Sequence, residues 1–204
     1  MTRLDLRKAL KTLYEPSAKG FSIVEVPEMA FLMIDGEGDP NVSPVYASVI
    51  QWLYGVSYAA KFASKANGTD YGVMPLEGLW WADDMDTFIT RDKSAWKWTM
   101  MIAQPDVVTA EMIRAAVDKT RARLGEPPAS LRLERFHEGL SVQVMHVGPY
   151  DAEGPTIARL HREFLPENGL TENGHHHEIY LSDPRRAAPE KLKTVIRQPV
   201  RRIA

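Results

Sequence analysis

The order of motifs in the first half of this chain recurs in the second, and that repetition constrains the fold more than any single segment does. In the first half, Glu25-Val26-Pro27-Glu28-Met29 leads into an apolar strand ending Met33-Ile34-Asp35-Gly36, and a long helix is predicted from Pro44. In the second, Arg135-Phe136-His137-Glu138-Gly139 leads into a strand ending Met145-His146-Val147-Gly148, and a helix follows from near Asp151. Beyond the helices, Glu77-Gly78-Leu79-Trp80 answers Glu178-Ile179-Tyr180-Leu181. Each half then closes on Ile-x-Gln-Pro, Ile102 to Pro105 and Ile196 to Pro199. Matches this short mean little singly, because Gly and Pro recur at turns. Their shared order reads as a duplication in which each half runs strand, strand, helix, strand, strand.

Local periodicity supports the elements. Val45, Val49, Trp52, Val56, Ala59 and Ala63 recur at steps of three and four, the spacing of one helical stripe. Ile157, Leu160, Phe164 and Leu165 do the same in the second half. Between the halves, Thr109 is placed to cap a helix carrying Met112, Ile113, Ala116, Val117 and Leu124, which Gly125 and Pro127-Pro128 stop. Trp96, Trp98, Met100 and Ile102 alternate with Lys97, Thr99 and Met101, as in a strand, and Val142, Val144 and His146 alternate with Gln143, Met145 and Val147. The polar stretch from Ala82 to Ser94, with Asp83, Asp84, Asp86 and Arg91, reads as an excursion in a hairpin. These boundaries give one domain over 1–204: a first module at about 21–105, a connecting helix at about 109–125 and a second module at about 131–200.

Composition narrows the function. With 25 Lys+Arg against 27 Asp+Glu, and the C-terminal basic residues scattered among prolines, no face is dense enough in positive charge to bind nucleic acid. No apolar run reaches the ~20 residues of a membrane span and no hydrophobic leader opens the chain, so the expectation is a cytoplasmic protein. The absence of cysteine excludes disulfides, thiolate nucleophiles and zinc-thiolate sites. Three consecutive histidines, His175-His176-His177, alternate in direction along a strand and cannot converge on one ion, so no metal and no cofactor is expected.

Met145-His146-Val147-Gly148-Pro149-Tyr150, a helix, and then Glu178-Ile179-Tyr180-Leu181-Ser182-Asp183-Pro184 resemble the GyrI-like small-molecule-binding domain, which also serves as the effector module of some transcription activators. The resemblance covers the chain from about Phe21 onward. It implies an α+β fold of duplicated strand-helix-strand-strand modules, forming a curved antiparallel sheet with helices on one face and a pseudo-twofold axis. It also implies a ligand pocket on the opposite, concave side, faced by the glutamate matching Glu178. Too few residues precede the first strand for the helix-turn-helix of the regulators, so the expectation is a stand-alone form. Glu77-Gly78-Leu79-Trp80-Trp81 and His175-His176-His177-Glu178-Ile179-Tyr180 are similar to a stand-alone subgroup, some members of which hydrolyse the strained cyclopropane of DNA-alkylating natural products.

The residues give Glu178 a reading of their own. If Ile179 and Leu181 enter a core, Glu178 and Tyr180 face the other way, and a carboxylate among rings suits cation binding or proton transfer. A strand glutamate on an ordinary solvated face is the plain alternative. Glu77 is the expected counterpart of Glu178, with an acid or base role, unless only one of the two points inward. Tyr54, Tyr58 and Lys61 on the first long helix would steady charge on a leaving group. Trp80, Trp81, Trp98, Tyr150, His176 and Tyr180 would line the ligand site, although tryptophans fill cores as often as they bind ligands, and adjacent Trp80 and Trp81 cannot share a face. The function expected is binding of a flat, hydrophobic, aromatic and possibly cationic small molecule by a monomer or homodimer. Hydrolysis of an electrophilic cyclopropane, sequestration without catalysis and a gyrase-interaction role all stay open.

Overall fold

Pro27 and Gly139 look like breaks in the sequence, and neither ends a strand. Strand β2 runs unbroken over Ser22–Glu37 and β6 over Arg132–Val147, with Pro27 exposed and Gly139 taking a left-handed φ of 72° inside its strand. Proline is tolerated where its missing N–H is not required, and glycine allows a bend without loss of pairing. Each half is therefore one long strand where the motifs suggested two, then a helical segment, a three-residue strand and two longer strands.

The computed structural model describes residues 1–83 and 93–203. Asp84, Asp86 and Arg91 of the expected hairpin excursion lie outside them. No helix among the described residues is long and apolar enough to cross a membrane. Two compact units are present, one of residues Met1–Ala9 and Met29–Phe136, the other of Leu10–Glu28 and His137–Ala204. Both are α+β with antiparallel main ladders.

In the first unit β5 (Lys97–Gln104) is paired on both sides, with β2 and with β4 (Leu76–Trp81). Its alternation did not separate a buried face from an exposed one. Trp98 through Gln104 are all buried. Helix α3 (Pro44–Ala66), following α1 (Leu6–Ala9) and α2 (Lys11–Tyr14), is capped by Ser43 and covers the face of Trp80 and Trp98. Tyr46 meets both of those rings, and Ser57 accepts a hydrogen bond from Gln104. The buried stripe of α3 is Val49, Trp52, Leu53, Val56, Ser57, Ala60 and Ser64. Val45 is exposed and Ala59 and Ala63 only half-buried, so the true stripe is rotated from the one expected. Helix α4 (Ala110–Leu124), capped by Thr109 as expected, packs on α3 at Gly55, where any Cβ would meet Thr120 at 2.9 Å. A short parallel pair, β1 (Thr2–Leu4) with β3 (Thr69–Tyr71), also belongs to this unit and left no mark in the periodicity.

In the second unit β9 (Lys193–Arg202) lies between β6 and β8 (His176–Tyr180), and β7 (Leu170–Glu172) pairs with its far end. The ladder sets Val144, Ile196 and Glu178 side by side on one face and Gln143, Arg197 and His177 on the other, since directly paired residues share a face. The first face is covered by α5 (Gly154–Arg159), a π-helical turn (Leu160–Phe164) and α6 (Leu165–Glu167). Leu160 and Leu165 from this segment join Val142, Val144, Leu170, Ile196 and Val200 in one core. The π turn precedes Pro166, which has no N–H to give to an α-helical bond.

The other face holds a buried ionic triad. Glu138 takes His177 Nδ1 at 2.8 Å and Arg197 Nη1 at 3.0 Å, with all three side chains at most 2% exposed. Arg197 also donates to Gln143 and to the Leu13 carbonyl, and Gln143 donates to the Thr12 carbonyl, which ties α2 under the sheet. Burial, the largest influence, pushes the Glu138 carboxyl up, but His177 and Arg197 outweigh it and hold it down at about 2.

Candidate functional site

Strand alternation sets His176, Glu178 and Tyr180 on one face of β8 and the buried His177 and Ile179 on the other, as expected from the sequence. Glu178 Oε2 accepts the Tyr180 hydroxyl at 2.7 Å, and Oε1 lies 3.3 Å from His176 Nε2. Tyr150, in the 3-10 turn (Tyr150–Ala152) before α5, meets the Tyr180 ring edge-on at 5.7 Å between centroids. Four of the expected residues, Glu178, His176, Tyr180 and Tyr150, are thus brought together.

The fifth member was not foreseen. Glu153 sits at the start of α5, where an acidic residue ordinarily caps the helix, yet its side chain makes no capping bond. It is 3% exposed and turns toward Glu178 and Thr194 instead. Although the Thr194 hydroxyl lies beside it, neither Glu153 Oε1 nor Thr194 Oγ1 has a close, well-aligned hydrogen-bond partner. An acid before Gly154-Pro155 was the only signal in the sequence, and it is indistinguishable there from an ordinary helix start.

Two carboxyls in contact, Glu153 buried and Glu178 largely so, disfavour a charge on both at once. Burial and then the Glu178 charge push Glu153 up to about 9, so it is a carboxylic acid near neutral pH. Burial also pushes Glu178 up, but the His176, Tyr180 and Glu153 contacts outweigh it and hold Glu178 below its ordinary value, as a carboxylate. Burial first, then Glu153, Glu178 and Asp183, raise the Tyr150 phenol. Glu178 lies on the side that α5 to α6 cover, beside their core, and α2 lies on the opposite side.

The remaining expected residues lie in the first unit. Tyr54 and Tyr58 stack on α3 at 6.3 Å, with Tyr58 46% exposed, and Lys61 is engaged by Asp70. Trp98 is wholly buried over Gly36, Trp80 is buried against Tyr46, and Trp81 occupies the opposite face of β4, half-buried. Glu77 is wholly buried, but the ladder does not make it the counterpart of Glu178. The matches of Met33 with Met145 and of Ile102 with Ile196 hold in register, because Met33 pairs with Met101 and Met145 with Val195. On that frame Glu178 pairs with Ile196, whereas its structural equivalent, Ile102, pairs with Leu76. Glu77 therefore corresponds to Ile179 and faces away from the α3-covered side. A one-residue offset in the motif alignment reverses the face. Among the described residues no cluster of three or more His, Asp or Glu is arranged to hold a metal ion.

In this antiparallel α+β unit, Glu178 and Tyr180 of β8 meet Glu153 and Tyr150 of the segment that opens α5. The model of the GyrI-like small-molecule-binding domain matches residues 20–201, and the chain belongs to that family. A conserved, uncharacterized protein from Listeria innocua is 40% identical, with a TM-score of 0.89 over 97% of this chain and 100% of its own. A hydrolase from Listeria innocua is 39% identical, with a TM-score of 0.83 over 97% of this chain and 100% of its own. A second hydrolase from the same organism is 38% identical, with a TM-score of 0.85 over 98% and 100%. The EcmrR C-terminal domain, at 15% identity and a TM-score of 0.56 over 90% of this chain and 98% of its own, shares the fold. No curated protein matches the sequence.

Proposed function

We propose that this GyrI-like protein is a cytoplasmic hydrolase that adds water to a flat, electrophilic small molecule, with an activated cyclopropane as the substrate class. The observation that carries the reading is the pairing of an acid, Glu153, with a base, Glu178, in one contact. The two Listeria hydrolases, similar over nearly the whole chain, support it.

The chemistry balances without any further group. Glu178 takes a proton from water, the hydroxyl oxygen bonds to a ring carbon, and a ring C–C bond breaks with its electron pair passing to a conjugated carbonyl oxygen. Glu153 protonates that oxygen. The proton on Glu178 then returns to Glu153 across their contact, which restores the starting state. Tyr180 steadies the base, and the Tyr150 and Tyr180 rings offer surfaces to a planar substrate. The same carboxylate beside rings would also hold a cation, and binding without turnover is the competing outcome.

Incubating the protein with a carbonyl-conjugated cyclopropane alkylator tests this. The expected product is substrate plus one water, absent with Glu178→Gln. Bound but unaltered substrate at the uncatalysed rate would overturn the hydrolase reading and leave a binding protein.

A further inference from the structure

We propose that His176 is a positioning residue that makes Glu178, rather than Glu153, the ionised member of the carboxyl pair. The proposal deepens the reading above, and rests on it only for its kinetic arm.

The two carboxyls compete for one proton, and the one receiving more donors gives it up. Glu178 has a partner on each oxygen, Tyr180 on Oε2 and His176 on Oε1, whereas Glu153 Oε1 has none that is close and aligned. Both partners of Glu178 are ambivalent in principle, since a phenol and an imidazole can each donate or accept. The other nitrogen of His176 removes the ambiguity. Nδ1 is buried with no hydrogen-bond partner. Placing hydrogen on Nδ1 would bury an orphan N–H, which folded proteins avoid more strictly than an idle acceptor. The proton therefore sits on Nε2, and Nε2–H donates to Glu178. The two-residue spacing of His176 and Glu178 along β8 fixes this contact on a single face.

Other ionisable groups act on the pair or on its neighbours from several elements. Asp151, from the turn before α5, acts on Glu153; Asp183, from the segment after β8, acts on Tyr150; and Glu172 of β7 interacts with His176. Glu172 is held by His161 of the π turn at 2.6 Å, and His146 of β6 is engaged with the Pro149 carbonyl. Asp151 adds to the influences that disfavour charge on Glu153. The donors on Glu178 act on that member of the pair directly and favour its charge.

The test is NMR titration of protein labelled with carbon-13 at the glutamate side-chain carboxyls, with Glu153→Gln and Glu178→Gln assigning the two signals. His176→Leu should raise the Glu178 midpoint by about one pH unit, a tenfold loss of ionisation, and lower that of Glu153. His176→Gln, whose amide keeps a donor near the same place, should restore both. Should His176→Leu fail to fold, His176→Phe supplies the donor-free ring. Unmoved midpoints in a folded donor-free variant, or equal shifts in the Gln variant, would overturn the proposal. A structural role alone would lower the melting temperature without moving the titration. In the kinetic arm, the acid limb of kcat/KM for a cyclopropane substrate should move with the Glu178 midpoint. The NMR result stands even if no turnover is found, so the two readings fail separately.

Discussion

Glu153 and Glu178 come from different elements, the turn before α5 and strand β8, and meet as a carboxylic acid against a carboxylate. Their hydrogen-bond environments differ in a way that matters chemically. Glu178 is served by a side-chain partner on each oxygen, Tyr180 and His176, whereas Glu153 Oε1 has no close, well-aligned partner.

Removing either reactive group should separate binding from chemistry. Glu178→Gln is expected to lower kcat by about 10²–10⁴ while leaving affinity for an uncharged ligand nearly unchanged, because the amide keeps the shape and loses the base. Glu153→Gln should lower kcat by a similar factor. Single-turnover product formation, set against equilibrium binding of the same compound, checks both.

The carboxyl pair should also leave a mark on stability. Glu153 is raised from 4.5 to about 9 in the fold, so the folded state holds a proton that the unfolded state releases, and stability falls as pH rises from about 4.5 to 9. Glu153→Gln should flatten that slope and stabilise the protein at pH 8 by on the order of 1–3 kcal/mol. Urea unfolding midpoints across this range would show a slope unchanged by the substitution if Glu153 did not hold the proton.

At the acid end a different group governs. Glu138, held down at about 2 against an ordinary 4.5, contributes stability above about 4.5 that is lost as pH falls toward 2. Arg197→Met would leave Glu138 with His177 alone in a buried site and is expected to cost about 3–5 kcal/mol near neutral pH, measurable by urea unfolding. Replacing Glu138, His177 and Arg197 together by apolar residues should cost less than Arg197→Met alone.

Close packing in the first unit gives a prediction free of charge effects. A Cβ on Gly36 would fall 2.1 Å from the Trp98 ring, whose Nε1 donates to the Gly38 carbonyl. Gly36→Ala should displace that ring and cost about 1–3 kcal/mol. A shift in tryptophan fluorescence together with a lower melting temperature would register it, while unchanged values of both would contradict the packing.

What was legible in the sequence follows from period and order. The repeated order of motifs marked both modules, the three-and-four spacing and the Thr109 cap marked helices, and alternation along His176 to Tyr180 set Glu178 and Tyr180 opposite Ile179. Periodicity reports direction relative to a residue's own neighbours, so such statements need no knowledge of partners. The stripe on α3 was misplaced by part of a turn because its buried face includes Ser57 and Ser64, which hydropathy does not count.

The sequence by itself determined that the chain is built twice from antiparallel α+β modules, and which side chains share a face within β8. Only the tertiary structure decided which elements those faces meet. Register made Leu76, not Glu77, the equivalent of Glu178, because a one-residue slip reverses every side chain and short motifs do not record pairing. Folding turned Glu153 from a helix start into the partner of Glu178, and joined Glu138 to His177 and Arg197 across separations no local pattern spans. Both arrangements depend on removing charge from water. Desolvation is a property of the assembled surroundings, and no residue carries it in its own name.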